Sequence, residues 1–272
     1  MVQKDTDKKH YAGGRKGELS VVGIGPGAAC HLTQKAKDAL ASADVVVGYT
    51  RYVALVAELI KGKEVFTSAM TQEVERCEKA IEFALSGARV AVVSSGDAGI
   101  YGMAGLILQI AEAKGVLTGP NNGEGAIKIE VIPGVPAFVS AAAILGAPLM
   151  HDFASISLSD LLTPWAVIEN RLKAAVQADF VIALYNPKSS QRKANLSQAV
   201  EIVLQYRNGS TPVGIVRNAT RQEESVTLTT LNGLGAFYET IDMLTILLIG
   251  NSNTYTSGKS MITPRGYNIK IN

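Results

Sequence analysis

Five short aliphatic runs alternate with longer helical patterns through the first half of the chain, and this alternation limits the fold more than any other feature. The runs are Leu19–Ile24, Asp44–Val47, Glu64–Phe66, Arg89–Val93 and Lys128–Ile132. Between them, Leu32–Ser42, Arg51–Ile60, Gln72–Ser86 and Ile100–Lys114 read as helices. Ala36, Ala39 and Leu40 share a face of the first; Val74, Ala80, Ile81, Ala84 and Leu85 are expected inward on the third. Strands that are apolar throughout, each followed by a helix, predict a parallel sheet covered on both faces.

The second half reads differently. Strands are expected near Ala154–Leu158, Phe180–Leu184, Val213–Arg217, Ser225–Thr229 and Thr245–Ile249, but only Trp165–Gln177 and Arg192–Tyr206 read as helices. Fewer helical crossovers predict a mixed sheet. At roughly 150 residues per domain, the 272 residues suggest two domains. The fold class is therefore α/β in two domains, residues 18–132 and 133–252. The break falls at the Pro133–Pro136 punctuation, with an arm at 1–17 and a tail at 253–272. Gly115–Ala126, rich in Gly and Asn, reads as a surface loop.

Composition removes several classes of function. An apolar share of 47% with 18% charged residues excludes a disordered or fibrous chain. The net charge of +2 comes from the arm; residues 18–272 hold 21 basic and 22 acidic side chains, which is no footprint for nucleic acid. The arm lacks the apolar segment of a signal peptide and reads as a disordered or added leader. Cys30 and Cys77 cannot build a disulfide framework, so a cytoplasmic location is the default. Val131–Met150 has no ionisable side chain, yet Pro133, Pro136 and Pro148 make it a buried turn and small-residue helix rather than a membrane span.

Two glycine-rich turns carry the functional signal. Gly23-Ile24-Gly25-Pro26-Gly27-Ala28 follows the first strand and invites a dinucleotide reading. Pro26 removes a backbone donor, and Val47-Gly48-Tyr49-Thr50 offers no carboxylate for a ribose. A nicotinamide or flavin site and a plain tight turn both stay open here. Ser95-Gly96-Asp97-Ala98-Gly99-Ile100-Tyr101-Gly102-Met103 follows the fourth strand, with glycines at 96, 99 and 102 that would let a ligand approach the backbone. Asp97 is either a helix N-cap or a carboxylate for a ligand's ammonium group. Both turns follow strand carboxyl ends, where open α/β sheets bind ligands.

These turns, with Val131-Ile132-Pro133-Gly134-Val135-Pro136-Ala137, Leu184-Tyr185-Asn186-Pro187 and Val216-Arg217-Asn218-Ala219-Thr220, resemble the tetrapyrrole methylases of cobalamin and sirohaem synthesis. Five motifs in this order are specific, and the resemblance covers about residues 18–252. A narrower likeness, to the branch that methylates C17 of the macrocycle, rests on His151-Asp152-Phe153, Ile156 to Trp165, and Tyr185 to Ser190 with Arg192. The bland reading of Thr163-Pro164-Trp165 is a helix start, with Thr163 as N-cap and Trp165 packed inside.

The resemblance implies two α/β domains meeting at a cleft, in a homodimer that uses S-adenosylmethionine. It implies cofactor contacts at Pro26, Ser95, Gly96, Asp97, Ile100, Pro136, Ala137, Tyr185 and Ala219. It further implies methylation of C17 of precorrin-3B or cobalt-precorrin-3 with ring contraction; another precorrin position, a nucleotide-dependent oxidoreductase and a non-catalytic tetrapyrrole carrier are the alternatives. Porphyrinogen-methylating relatives carry Tyr-Asp-Arg where this chain has Tyr49-Thr50-Arg51, which argues against their substrate. Ring contraction needs proton movement, for which His151, Ser157 and Asp160 are the candidates. Arg51, Lys188, Arg192, Arg217 and Arg221 could grip the carboxylates of a tetrapyrrole edge, with Arg51 and Arg192 chosen first. No metal-ligand spacing appears in the sequence.

Overall fold

The chain divides into two compact units, Met1–Pro136 and Ala137–Asn272. The computed structural model describes residues 16–116, 126–189 and 191–268. Most of the expected arm, loop positions 117–125, Ser190 and the tail's end at 269–272 lie outside the described residues. The division falls after Pro136, slightly later than the proline punctuation suggested.

In the first unit, β1 (Glu18–Gly23), β2 (Val45–Tyr49), β3 (Glu64–Ser68), β4 (Arg89–Ser94) and β5 (Lys128–Ile132) pair in the order β3-β2-β4-β1-β5. All pairs are parallel, as the apolar runs predict. Alternate residues of each strand feed opposite cores. Val21, Val47 and Val92 pack against Ile81 of α3 (Glu73–Leu85) and Ile107 of α4 (Ala104–Ala113). On the other face Val22, Val46 and Val93 meet Leu40 of α1 (Gln34–Ser42) and Val53 of α2 (Thr50–Ala54). Helix α1 starts where it does because Thr33 Oγ1 accepts the Ala36 amide at 3.1 Å.

Three helical expectations need correction. Arg51–Ile60 is not one helix but α2 followed by a 3-10 turn at Ala57–Ile60. Helix α4 begins at Ala104 rather than Ile100, because residues 98–103 form a turn closed by the Ala104 amide on Ala98 O at 3.0 Å. On α3, Val74 and Leu85 are exposed, and the buried stripe is Arg76, Cys77, Ala80, Ile81 and Ala84. At 100° per residue Val74 and Leu85 lie about 90° or more from the centre of that stripe. Arg76 takes the opposite margin because its guanidinium finds partners inside: Nε donates to Ser68 Oγ at 2.9 Å and Nη2 to Ala69 O at 2.7 Å.

Cys77 sits in that stripe, and burial pushes its thiol up to about 12. Cys30 is exposed. A thiol-specific reagent at pH 8 is therefore expected to titrate one cysteine per native chain and both after denaturation. Two fast thiols in the native protein would contradict the packing of α3.

The second unit opens with α5 (Ala137–Leu145) and β6 (Gly146–Ala147), then β7 (Phe153–Ser157), α6 (Trp165–Gln177), β8 (Val181–Tyr185) and α7 (Asn195–Leu204). It continues with β9 (Pro212–Arg217), β10 (Ser225–Thr230), β11 (Thr245–Ile249), β12 (Tyr255–Ser257) and β13 (Ser260–Ile262). The main sheet runs β10-β9-β11-β8-β7 and is mixed, as expected: β7 and β8 are parallel, while β11 is antiparallel to β8 and β9. Strands β7, β8 and β9 thus point the same way. Helices α6 and α7 cover one face through Ile168, Leu172, Leu196 and Val203. On β9, a Cβ at Gly214 would lie 2.3 Å from the Leu145 side chain, so glycine there lets α5 approach. The expected tail instead carries β12 and β13, a hairpin that adds to β6.

Two smaller expectations also shift. Helix α6 is capped at Pro164, not Thr163, and no side chain caps it. Helix α7 begins at Asn195 rather than Arg192, where the Asn195 side-chain amide donates to Leu158 O at 3.0 Å.

Candidate functional site

In the first unit the turns after β1, β4 and β5 are neighbours, because those strands are adjacent at the centre and edge of the sheet. They are tied to one another through backbone. Gly25 and Gly96 exchange two hydrogen bonds, the Gly25 amide to Gly96 O at 3.0 Å and the Gly96 amide to Gly25 O at 2.8 Å. Both glycines have left-handed backbone, φ +72° and +68°. A Cβ at Gly134 would lie 2.2 Å from Gly96 O and 2.7 Å from the Gly23 carbonyl carbon. The glycines at 23 and 134 therefore let three turns close on each other.

Asp97 completes the tie. Its Oδ1 accepts the Gly99 amide at 2.8 Å and its Oδ2 the Gly134 amide at 3.0 Å. The N-cap reading of Asp97 is thereby corrected, since α4 starts at Ala104 and Asp97 holds the turn after β4 to the turn after β5 instead. The expectation that glycines 96, 99 and 102 all open the backbone to a ligand also changes. A Cβ at Gly102 would meet Ala98 O at 2.5 Å, so that glycine serves packing within the turn. Gly99 alone of the three is exposed, with only Asp97 Oδ1 near its missing Cβ. The Gly25 amide is taken and Pro26 has none, which removes donors a dinucleotide pyrophosphate would use there.

Pro26, Ser95, Gly96, Asp97, Ile100 and Pro136 all lie in these tied turns or directly after them. Tyr101, beside Ile100, is exposed with a φ of +51°, a backbone cost for a non-glycine residue. Arg51 is exposed on α2, just after β2 at the same end of the sheet. Nothing in the sequence pattern pointed to Arg76, whose Nη1 reaches Met103 Sδ at 3.9 Å at the end of the turn after β4.

In the second unit the candidates gather at the carboxyl ends of β7, β8 and β9. Ser157 pairs in register with Tyr185, and its Oγ accepts the Asn186 side-chain amide at 2.9 Å and the Ser159 amide at 3.2 Å. The Tyr185 hydroxyl accepts the Phe138 amide at 3.2 Å, next to Ala137 at the start of α5. Asn186 and Asn218 both leave their strands in left-handed conformation, φ +50° and +53°. Asparagine tolerates that region, so an Asn just past an expected strand was the legible signal. Ala219, next to Asn218, is buried at this same edge.

Asp160 and Arg192 are brought together here, with Asp160 Oδ1 3.9 Å from Arg192 Nε. His151 is not. It precedes β7, whereas Ser157 ends it, and the five-residue strand separates them by roughly 16 Å. The three proton-carrying candidates therefore form no single cluster. The His151 ring instead meets its neighbour, its Nδ1 accepting the Asp152 amide at 2.9 Å. Two of the other cations serve the fold: Lys188 donates to Tyr238 O at 2.6 Å, and Arg217 Nε to Asp242 Oδ2 at 3.0 Å.

Comparison with known proteins fixes what these turns belong to. The profile of the Tetrapyrrole (Corrin/Porphyrin) Methylases matches residues 18–235. The chain belongs to this family. A cobalt-factor III methyltransferase of Priestia megaterium is 47% identical over 94% of this chain, which spans 46% of that longer relative. A probable cobalt-factor III C(17)-methyltransferase of Salmonella typhimurium is also 47% identical, over 92% of this chain and 100% of its own length. A precorrin-3B C(17)-methyltransferase of a Sinorhizobium species is 37% identical over 88% of this chain and 90% of its own. Among solved structures, the methyltransferase CobJ superposes with a TM-score of 0.83 at 36% identity, covering 91% of this chain and 100% of that one. Among the described residues, no helix is long and apolar enough to cross a membrane, and no group of three His, Cys, Asp or Glu could hold a metal ion.

Proposed function

We infer that this chain is a C17-methyltransferase of cobalamin biosynthesis that acts on a tetrapyrrole. The observation that carries this reading is the 47% identity along the full length of a relative bearing that name. The relatives at 47% are named for cobalt-factor III and the one at 37% for precorrin-3B, so we favour the cobalt-containing macrocycle over the metal-free one.

The methyl donor is S-adenosylmethionine, which when bound supplies a methyl group activated on a sulfonium. Pro26, Ser95, Gly96, Asp97, Ile100, Pro136, Ala137, Tyr185 and Ala219 are the residues assigned to hold it. The chemistry of this set fits: one carboxylate suits the ammonium end of the ligand, and the Pro, Ile and Ala side chains suit its apolar parts. Turns at strand carboxyl ends are also where sheets of this kind bind ligands. With an activated donor, the residues mainly have to align a ring carbon with it, an effect that can supply roughly 7–11 kcal/mol.

Ring contraction is part of the proposal, and it needs a proton carrier. Ser157 accepts two hydrogen bonds, which leaves its own O–H as a donor. Asp160 follows it three residues later and forms an ion pair with Arg192. We assign proton movement to these two rather than to His151, and carboxylate binding to Arg192 and Arg51. The protein is read as a cytoplasmic homodimer, with a sedimentation mass of twice 28.7 kDa expected.

Incubation with methyl-labelled S-adenosylmethionine and cobalt-factor III, followed by mass analysis, tests the activity. Absence of label in the macrocycle, with cofactor bound, would overturn the reading. Within an active enzyme, Asp160→Asn is expected to lower kcat and kcat/KM together, because its interaction is made in the transition state. Arg192→Ala is expected to raise KM for the macrocycle, because a carboxylate clamp grips substrate and transition state alike. Unchanged kinetics with lowered stability would make both residues structural.

A further inference from the structure

Between β7 and α6 the chain holds two leucines out in water. Leu161 is 72% and Leu162 93% exposed, on a segment whose two ends are firmly rooted. At the first end the Leu158 amide donates to Tyr185 O at 2.9 Å, and Leu158 O accepts from Asn195. The Ser159 amide is held by Ser157 Oγ. At the other end Pro164 O accepts the Val167 amide at 2.9 Å, and Trp165 packs on the core. Apolar side chains so displayed gain nothing from the fold of this unit; what they gain must come from something that covers them.

Directly beside the tip lies a guanidinium with few acceptors among the described residues. The Arg192 side chain is 14% exposed, and Asp160 Oδ1, at 3.9 Å, is beyond hydrogen-bond reach. Its Nη2 points at the thioether of Met243, 3.1 Å away, which is a weak acceptor. Guanidinium carries five N–H donors, and a planar carboxylate is the group that matches them. An apolar surface next to an under-matched guanidinium fits a ligand with a broad apolar face and a carboxylate on its edge.

We propose that Leu161 and Leu162 form an apolar rest for the face of the tetrapyrrole, while Arg192 takes one of its edge carboxylates. This rests on the function proposed above and specifies which segment of the second unit reads the substrate. A rest of this kind contacts substrate and transition state equally, so its loss appears in KM and not in kcat.

The test is the full chain carrying Leu161→Ser and Leu162→Ser together. Both side chains are exposed, so folding is expected to be unchanged. KM for cobalt-factor III should rise at least about tenfold while kcat stays within about twofold. The affinity for S-adenosylhomocysteine and the sedimentation mass should match wild type. Leu162→Met alone should keep most of the wild-type KM, and Leu59→Ser, an exposed leucine elsewhere in the chain, should change nothing. A double variant with wild-type KM overturns the proposal, and so does one whose sedimentation mass falls, because the leucines would then be covered by a second copy. A wild-type protein that binds S-adenosylhomocysteine but neither binds nor methylates the macrocycle would instead sink the function proposed above, and this inference with it.

Discussion

Gly134→Ala is expected to destabilise the first unit by about 3 kcal/mol, the upper part of the usual range for overpacking. The added methyl would lie 2.2 Å from Gly96 O and 2.7 Å from the Gly23 carbonyl carbon, and both are backbone atoms that no rotamer change can move aside. Gly134 does not have left-handed backbone, so the contact alone causes the loss. Relief requires the turn after β5 to move away from those after β1 and β4. S-adenosylhomocysteine affinity should therefore fall with stability, by at least about tenfold. Gly105→Ala is the control: it lies on α4 with nothing within 4 Å of the new Cβ, and alanine should be neutral or stabilise by up to roughly 1 kcal/mol. Urea denaturation with an unchanged slope reads both. A Gly134→Ala protein with wild-type midpoint and affinity would mean the three turns are not in contact.

Asp97→Ala should be comparably damaging. It deletes acceptors for the Gly99 and Gly134 amides, and hydrogen bonds to a charged group are worth roughly 1.5–3 kcal/mol each. Asp97→Asn keeps one acceptor oxygen and offers an N–H where the other was, so it can hold one amide and not both. Alanine is expected to lose the most stability and S-adenosylhomocysteine affinity, with asparagine between alanine and wild type. If asparagine matched aspartate in both measurements, the tie would need only one bond; if alanine matched it, Asp97 would have no part in joining the turns.

Much of the architecture was written in plain patterns. The runs Lys128–Ile132 and Thr245–Ile249 and the helix Trp165–Gln177 are strand, strand and helix over those same residues; Pro133 and Gly250 follow the two strands, and Pro164 precedes the helix. What could not be read was anything set by distant partners. Arg76 lies on the buried stripe because Ser68, at the end of β3, and Ala69 just past it meet its guanidinium from outside the helix, and no periodicity in α3 reveals them. Strands β12 and β13 are three residues each, too short to carry a pattern, and they exist because β6 offers an edge. The glycine motifs were visible as sites, but their physical reason was not. Residue type suggested room for a ligand, whereas Gly23 and Gly134 make room mainly for each other and for the backbone of Gly96. His151 and Ser157 looked equivalent as proton carriers until β7 put them at opposite ends.

The pairing of Gly25 with Gly96, and of Asp97 with Gly134, has a further consequence for how a ligand is received. Turn amides normally exchange their hydrogens quickly, because loops open independently of the structure beneath them. Here the amides of Gly25, Gly96 and Gly134 are each hydrogen-bonded into a neighbouring turn. Their exchange should follow the opening of the central strands as one cooperative block rather than as three separate loops. A binding surface immobilised in this way is preorganised: the ordering cost of association is met when the chain folds, and little of the ligand's own free energy goes into it.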